Sequence, residues 1–377
     1  MTLRQRIEQE IAARGPIPFS RYMELCLYDS ELGYYSRHHE TFGKTGDFYT
    51  SSDVHAVFGR LLARQFDEMW RALGSPGQIE LLELGPGRGL FACDVLAWSE
   101  KKFPDFFRAL HYRLAERSPA LRDRLQSTLR EQLAAGKAAL TPADSGLQIS
   151  LNSPGIVVAN EFFDALPFEV LSSKGELRID VRDHQFVETW APASPLQLEF
   201  LDRYGVHPEP GERVEAPLIA QHCMEQIAAA IGHGFLIVID YGYTRDEQLA
   251  GRHRDTVMAY RQHSATANPY AAPGEQDITA HVNFTALAAA AEHHGLHAEK
   301  LVTQSQFLMG IGETNEFADA FEDCRLPQEK AKVALQLKHL VTPAGMGETF
   351  HVMVASKDIA PHIVSKLSGL RFGKSRV

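Results

Sequence analysis

An apolar run, Ile79-Glu-Leu-Leu-Glu-Leu84, leads directly into Gly85-Pro-Gly-Arg-Gly89 and then into a second apolar stretch that opens with Leu90 and Phe91. Strand, glycine turn and helix in that order set an open α/β layer. The turn delivers backbone N–H groups and a helix N-terminus to whatever lies at the strand end, because glycine leaves no Cβ in the way. Two phosphate-binding patterns fail here. A dinucleotide turn needs a glycine at position 90, where Leu90 stands, and a phosphate loop needs Lys-Ser/Thr after its last glycine. What remains is an acid, Glu83, near the end of a strand and followed by Gly-x-Gly-x-Gly.

From Gln78 onward strand-like and helix-like runs alternate, the signature of a mostly parallel sheet. The pattern predicts strands at 78–84, 111–116, 147–151, 155–160 and 234–241, with helices near 89–103, 118–135 and 218–231. A helix near 279–294, a strand near 298–304, a helix near 327–341 and a strand near 348–355 close it. A helical segment comes first: Thr2 and Gln5 fit a capping box, Ser20 is placed to cap a helix through Leu27, and Asp53 opens an amphipathic helix ending near Gly74. The alternation breaks at 168–216, with short β-like runs and a Pro-rich stretch, and at 243–278, a polar excursion of the kind that covers a site. The organisation expected is a helical segment and lid loop over 1–75, a core over 76–355 carrying both insertions, and a basic tail over 356–377 that frays.

Composition narrows the class. Lys+Arg 38 against Asp+Glu 48 gives a net charge of −10, which argues against general affinity for nucleic acid or anionic membrane. Cys26, Cys93, Cys223 and Cys324 are scattered, without Cys-x-x-Cys or zinc spacing, so no metal is expected and the thiols read as reduced. No run approaches a membrane span, and the start of the chain lacks an apolar signal core. A cytoplasmic protein is expected.

Acid-x-Gly-x-Gly-x-Gly resembles motif I of the S-adenosylmethionine (SAM) methyltransferases. SAM offers an amino-acid end, a ribose diol and an adenine. Gly85 and Gly87 would admit it to the backbone, and Glu83 would fix the turn or bind the ammonium; an ordinary βα turn is the alternative. Glu116, before Ser118-Pro119, is positioned to accept both ribose hydroxyls, or is only a strand-end acid. Asn160-Glu161-Phe-Phe-Asp164 follows a strand, at the carboxyl edge where open α/β sheets bind ligands. Its carboxylates suit a planar guanidinium; a capping Asn160 or Asp164 beside core phenylalanines is the other reading. The loop with Gly46 and Asp47 folds over the cofactor or is a plain pre-helix loop; as a phosphate loop it fails, since His38 stands where a glycine is needed. Asp277 or Thr279 reads as a helix N-cap ahead of His281.

Taken together, Gly46-Asp-Phe-Tyr-Thr50, Glu83–Gly89, Asn160–Pro167, Ile239-Asp-Tyr-Gly242, Pro273–Val282 and Met346-Gly-Glu-Thr-Phe350 resemble, in order and over nearly the whole chain, the methyltransferases related to the mitochondrial complex I assembly factor that methylates arginine. The resemblance implies an α/β class I SAM methyltransferase, a seven-stranded mostly parallel sheet with helices on both faces, plus an N-terminal helical segment and insertions. It implies that Gly85, Gly87 and Glu116 bind SAM; Gly46, Asp47, Glu83 and Asn160 are expected in the cofactor shell as well. Asn160, Glu161 and Asp164 would border the transferred methyl. The partner expected is a protein bearing arginine, a complex I subunit among the options, with no nucleic acid and a homodimer as an allowed state. Its rivals are a methyltransferase for a small molecule or another protein nitrogen, and a SAM-binding assembly chaperone without catalysis.

Overall fold

The computed structural model describes residues 1–36, 56–142, 151, 154–261 and 264–372. The chain divides into two compact units, each built from three interleaved segments. One comprises Met1–Phe48, Phe162–Met224 and Gly242–Ala290; the other comprises Tyr49–Glu161, Glu225–Tyr241 and Ala291–Val377. The boundary at residue 75 read from the sequence is therefore not where the chain divides. The first helices group with the two insertions, whereas the Ala56–Ala72 helix groups with the sheet.

The second unit holds the parallel sheet. Its strands run in the order Ala138–Leu140, Leu110–Ala115, Ile79–Leu84, Gly155–Asn160, Gly234–Tyr243, Phe350–Lys357, and an edge made of His297–Ala298 and Val302–Thr303. The first five are mutually parallel and Phe350–Lys357 is antiparallel to its neighbours. These seven positions bear out the class I core that the motifs suggested. Residues such as Ile156, Val157 and Val158 are buried without alternation, as expected where both sheet faces are covered. Chain order reverses between Ile79–Leu84 and Gly155–Asn160, which pair Leu84 with Ala159. That reversal opens a crevice at the carboxyl ends of these two strands.

The strand expected at 147–151 lies largely outside the described residues; among the described residues Ala138–Leu140, which the sequence pattern did not offer, pairs with Tyr112–Leu114 at the sheet edge. One expectation for this unit changes. Residues 358–372 are docked rather than frayed. Val364, Leu367 and Leu370 are buried, and the N–H groups of Ser368 and Gly369 donate to Glu68 Oε2 at 2.8 Å and Gln65 Oε1 at 2.9 Å. Short segments of one turn carry too few residues to show a periodicity, so the sequence hid this anchoring.

The first unit packs Leu3–Arg14 and Phe19–Tyr28 against an antiparallel sheet of Ile17–Pro18, Gly175–Arg182, Glu169–Ser172 and Arg213–Ala216, with Gln185–Ala191 also on Gly175–Arg182. Their core includes Ile7, Phe19, Tyr22, Phe168, Ile179 and Ile278. The Thr2–Gln5 capping box is present. Ser20 is not a cap; it sits inside its helix, and its hydroxyl donates to Glu169 Oε1 at 2.6 Å. Asp277–Thr279 is a strand of a three-stranded antiparallel sheet, not a helix start. The helix begins at Phe284, where Asn283 Oδ1 accepts from Ala286 N–H at 3.0 Å and so does the capping.

Candidate active site

In the second unit the glycine turn has the geometry its composition requires. Gly85, Gly87 and Gly89 stand at φ +63°, +52° and +77°, where a Cβ is strained. Gly85 N–H is held by Ala115 O at 3.1 Å, tying the turn to the neighbouring strand. Gly89 caps the Leu90–Lys102 helix without any side-chain bond, so the first-turn N–H groups Leu90 to Ala92 have no intrahelical acceptor.

Two acids flank this turn. Glu83 is buried, and burial pushes its carboxyl up to about 8 against the opposing pull of a 2.8 Å hydrogen bond donated by Tyr112 Oη. Tyr112, from the adjacent strand, was missed by the sequence reading. Its signal was available: a tyrosine in a buried central strand must find a partner for its hydroxyl. Glu116 lies one residue past the Leu110–Ala115 strand and accepts from Ser118 N–H at 2.8 Å. Burial raises it to about 7, offset by that bond. Ser118 caps the next helix through Leu121 N–H, with Pro119 at its first position.

Across the crevice, Asn160 ends its strand and donates from Nδ2 to Glu161 Oε1 at 3.3 Å. Asn160 Oδ1 is buried and has no hydrogen-bond partner among the described residues. Glu161 has φ +50°, a conformation uncommon for a residue with a side chain, and its N–H is fixed by Ile239 O at 2.9 Å. A turn with glycines at Gly85, Gly87 and Gly89, at the same sheet edge as an orphaned buried acceptor, fits a ligand with a polar, donor-bearing end. A cavity of about 660 Å³ lined by Trp70, Arg71, Lys102 and Phe103 lies elsewhere, beside Ser75–Gly77 at the amino end of the Ile79–Leu84 strand, away from this crevice.

Asp164 belongs to the first unit, where it is buried and its carbonyl accepts from Ala280 N–H at 3.2 Å. Gly46 and Asp47 lie outside the described residues. Among the described residues no cluster of three or more His, Cys, Asp or Glu could hold a metal, and no helix is long and apolar enough to cross a membrane.

Residues 61–302 match the family "Putative S-adenosyl-L-methionine-dependent methyltransferase". The mitochondrial protein arginine methyltransferase NDUFAF7 homolog of Drosophila melanogaster is 29% identical, over 93% of this chain and 83% of that protein. The Homo sapiens protein arginine methyltransferase NDUFAF7 is 26% identical, over 97% and 84%. A crystal structure from Burkholderia thailandensis, bound to S-adenosyl-homocysteine, is 29% identical with a TM-score of 0.82, covering 97% of this chain and 94% of that one. With the matched span taking in most of the chain, this chain belongs to that family and is a SAM-dependent methyltransferase.

Proposed function

We propose that this methyltransferase acts on an arginine ω-nitrogen of a protein, and that the crevice between Leu84 and Asn160 is its cofactor site. The observation that carries the reading is Glu161, a carboxylate held in a left-handed backbone at the carboxyl edge of the sheet. The names of the Drosophila and human relatives, protein arginine methyltransferases, support the choice of acceptor. A respiratory complex I subunit is a narrower form of the same reading.

When bound, SAM supplies an electrophilic methyl carried on a sulfonium. Gly85 and Gly87 leave the backbone open to its amino-acid end, and the N-terminus of the Leu90–Lys102 helix favours its carboxylate. Glu116, steadied by Ser118 N–H, would accept from the ribose hydroxyls. Glu83, with one oxygen on Tyr112, would hold the ammonium, whose charge would draw the raised carboxyl back to its ionised form. Asn160 Oδ1 would accept a remaining donor.

Glu161 accepts guanidinium N–H groups and turns the attacking nitrogen toward the methyl. A strong base would be unnecessary: the nitrogen would become acidic as the N–C bond formed and the sulfonium's S–C bond broke, leaving S-adenosyl-homocysteine, and its proton would pass to the Glu161 carboxylate or to water. Glu161→Gln keeps the bond with Asn160 and removes the charge. Mass spectrometry of the proteome with and without the gene identifies the methylated protein. With that protein as substrate, Glu161→Gln is expected to lower the methylation rate by about two orders of magnitude with SAM affinity nearly unchanged. An unchanged rate sinks the role of Glu161, and gene-dependent methylation of something other than arginine sinks the acceptor.

A further inference from the structure

Asp277 and Thr279 are alternate residues of one strand in the first unit, so their side chains share a face. The antiparallel partner strand sets Tyr260 opposite Asp277 and Met258 opposite Thr279. Tyr35 Oη donates to Asp277 Oδ1 at 2.8 Å, and the rings of Tyr28 and Tyr34 pack on Tyr35 with centroids 5.5 and 5.2 Å away. Asp164 is tied to the same strand end by the Ala280 N–H bond to its carbonyl. Burial first, then Asp277, holds the Tyr35 and Tyr260 phenols above their ordinary range, with Asp164 adding to both and Tyr28 to Tyr35.

An independent observation points to a ligand here. Thr279 is 3% exposed, and its hydroxyl has no hydrogen-bond partner among the described residues. A buried hydroxyl left in that state is costly unless something brought into the site completes it. The components present are two carboxylates, a hydroxyl able to accept, and tyrosine rings. A guanidinium matches them better than an ammonium: it is planar, carries five donors in a fixed fork, and stacks on aromatic faces.

We propose that Asp164, Asp277, Thr279, Tyr35 and Tyr260 form a subsite for the guanidinium of an arginine side chain. The subsite lies within the first unit and rests on the arginine reading above. Asp277 and Asp164 accept the fork, Thr279 accepts one further N–H, and a tyrosine ring covers the plane.

The test uses the full chain with Nα-acetyl-arginine amide and its neutral isostere Nα-acetyl-citrulline amide, titrated by NMR, with SAM affinity measured by calorimetry alongside. The parent is expected to bind the arginine amide at least about tenfold more tightly than the citrulline amide. Thr279→Val and Asp277→Asn should each weaken the arginine amide by about tenfold while SAM affinity stays within about twofold. Thr279→Val, nearly isosteric, carries the test alone if Asp277→Asn does not fold. Equal binding of the two amides by the parent, or undiminished arginine affinity in the variants, overturns the subsite. If gene-dependent methylarginine is nonetheless found in the proteome, the subsite falls and the arginine reading stands. If the amides behave as expected but no methylarginine depends on the gene, the acceptor assignment falls and the guanidinium subsite stands.

Discussion

The carboxylate of Glu116 already has one oxygen on Ser118 N–H, which fixes its direction and leaves lone pairs for two ribose hydroxyls. If Glu116 holds the ribose as proposed, Glu116→Ala removes two charge-assisted bonds and should weaken SAM by roughly 2–4 kcal/mol in calorimetry. Full affinity in that variant would reduce Glu116 to a strand-end acid. The pH profile has a definite sign. Accepting from hydroxyls requires the ionised form, and burial has raised Glu116 to about 7, so protonation competes with binding below that pH. SAM affinity should therefore fall as pH drops from 8 to 6. Glu83, raised to about 8 and bonded to Tyr112, titrates nearby. The part of the slope that disappears in Glu116→Gln belongs to Glu116; a profile identical in parent and variant contradicts the assignment.

At the scale of elements, the strand–turn–helix at Ile79–Lys102 can be tested by a single change. Gly87→Val places a branched side chain at φ +52° and costs about 1–2 kcal/mol in backbone strain, less than the roughly 5–15 kcal/mol that holds a typical protein folded. A folded variant with no measurable SAM binding is expected; parent-like affinity would remove the turn from the cofactor site. This element was legible because its residues obey local rules: an unbroken apolar strand, then glycines where no Cβ fits. The same holds for Leu218–Ala230 and Pro327–Val341, whose bounds the periodicity nearly matched. Legibility failed where local rules gave two answers. Asp277-Ile-Thr279 offers cap residues, yet Asn283 stood six residues on with an apolar helix directly behind it, and pairing with Met258–Tyr260 drew the earlier residues into a strand. Tyr112 and Tyr35 escaped notice because their partners, Glu83 and Asp277, are 29 and 242 residues away. No window along the chain joins such pairs.

For the whole molecule, both units are assembled from segments separated by the other's residues. The apolar faces of Leu3–Arg14 and Phe19–Tyr28 find their core partly on Phe168, Val170, Leu177 and Ile179 and finally on Ala259, Ile278 and Ala280. Contacts of such separation are slow to form and expose apolar surface meanwhile. Nascent chains stalled after Tyr241 should leave these two helices open to protease, and chains stalled well beyond Ala290 should protect them; protection in the shorter chain would contradict this. At ~5–20 residues per second, about 250 residues and so roughly 12–50 s separate synthesis of Tyr28 from that of Ile278. These two helices, made about 250 residues before their last packing partners, are thus among the later elements to be finished, and for that interval they depend on whatever holds unfinished chains apart in the cell.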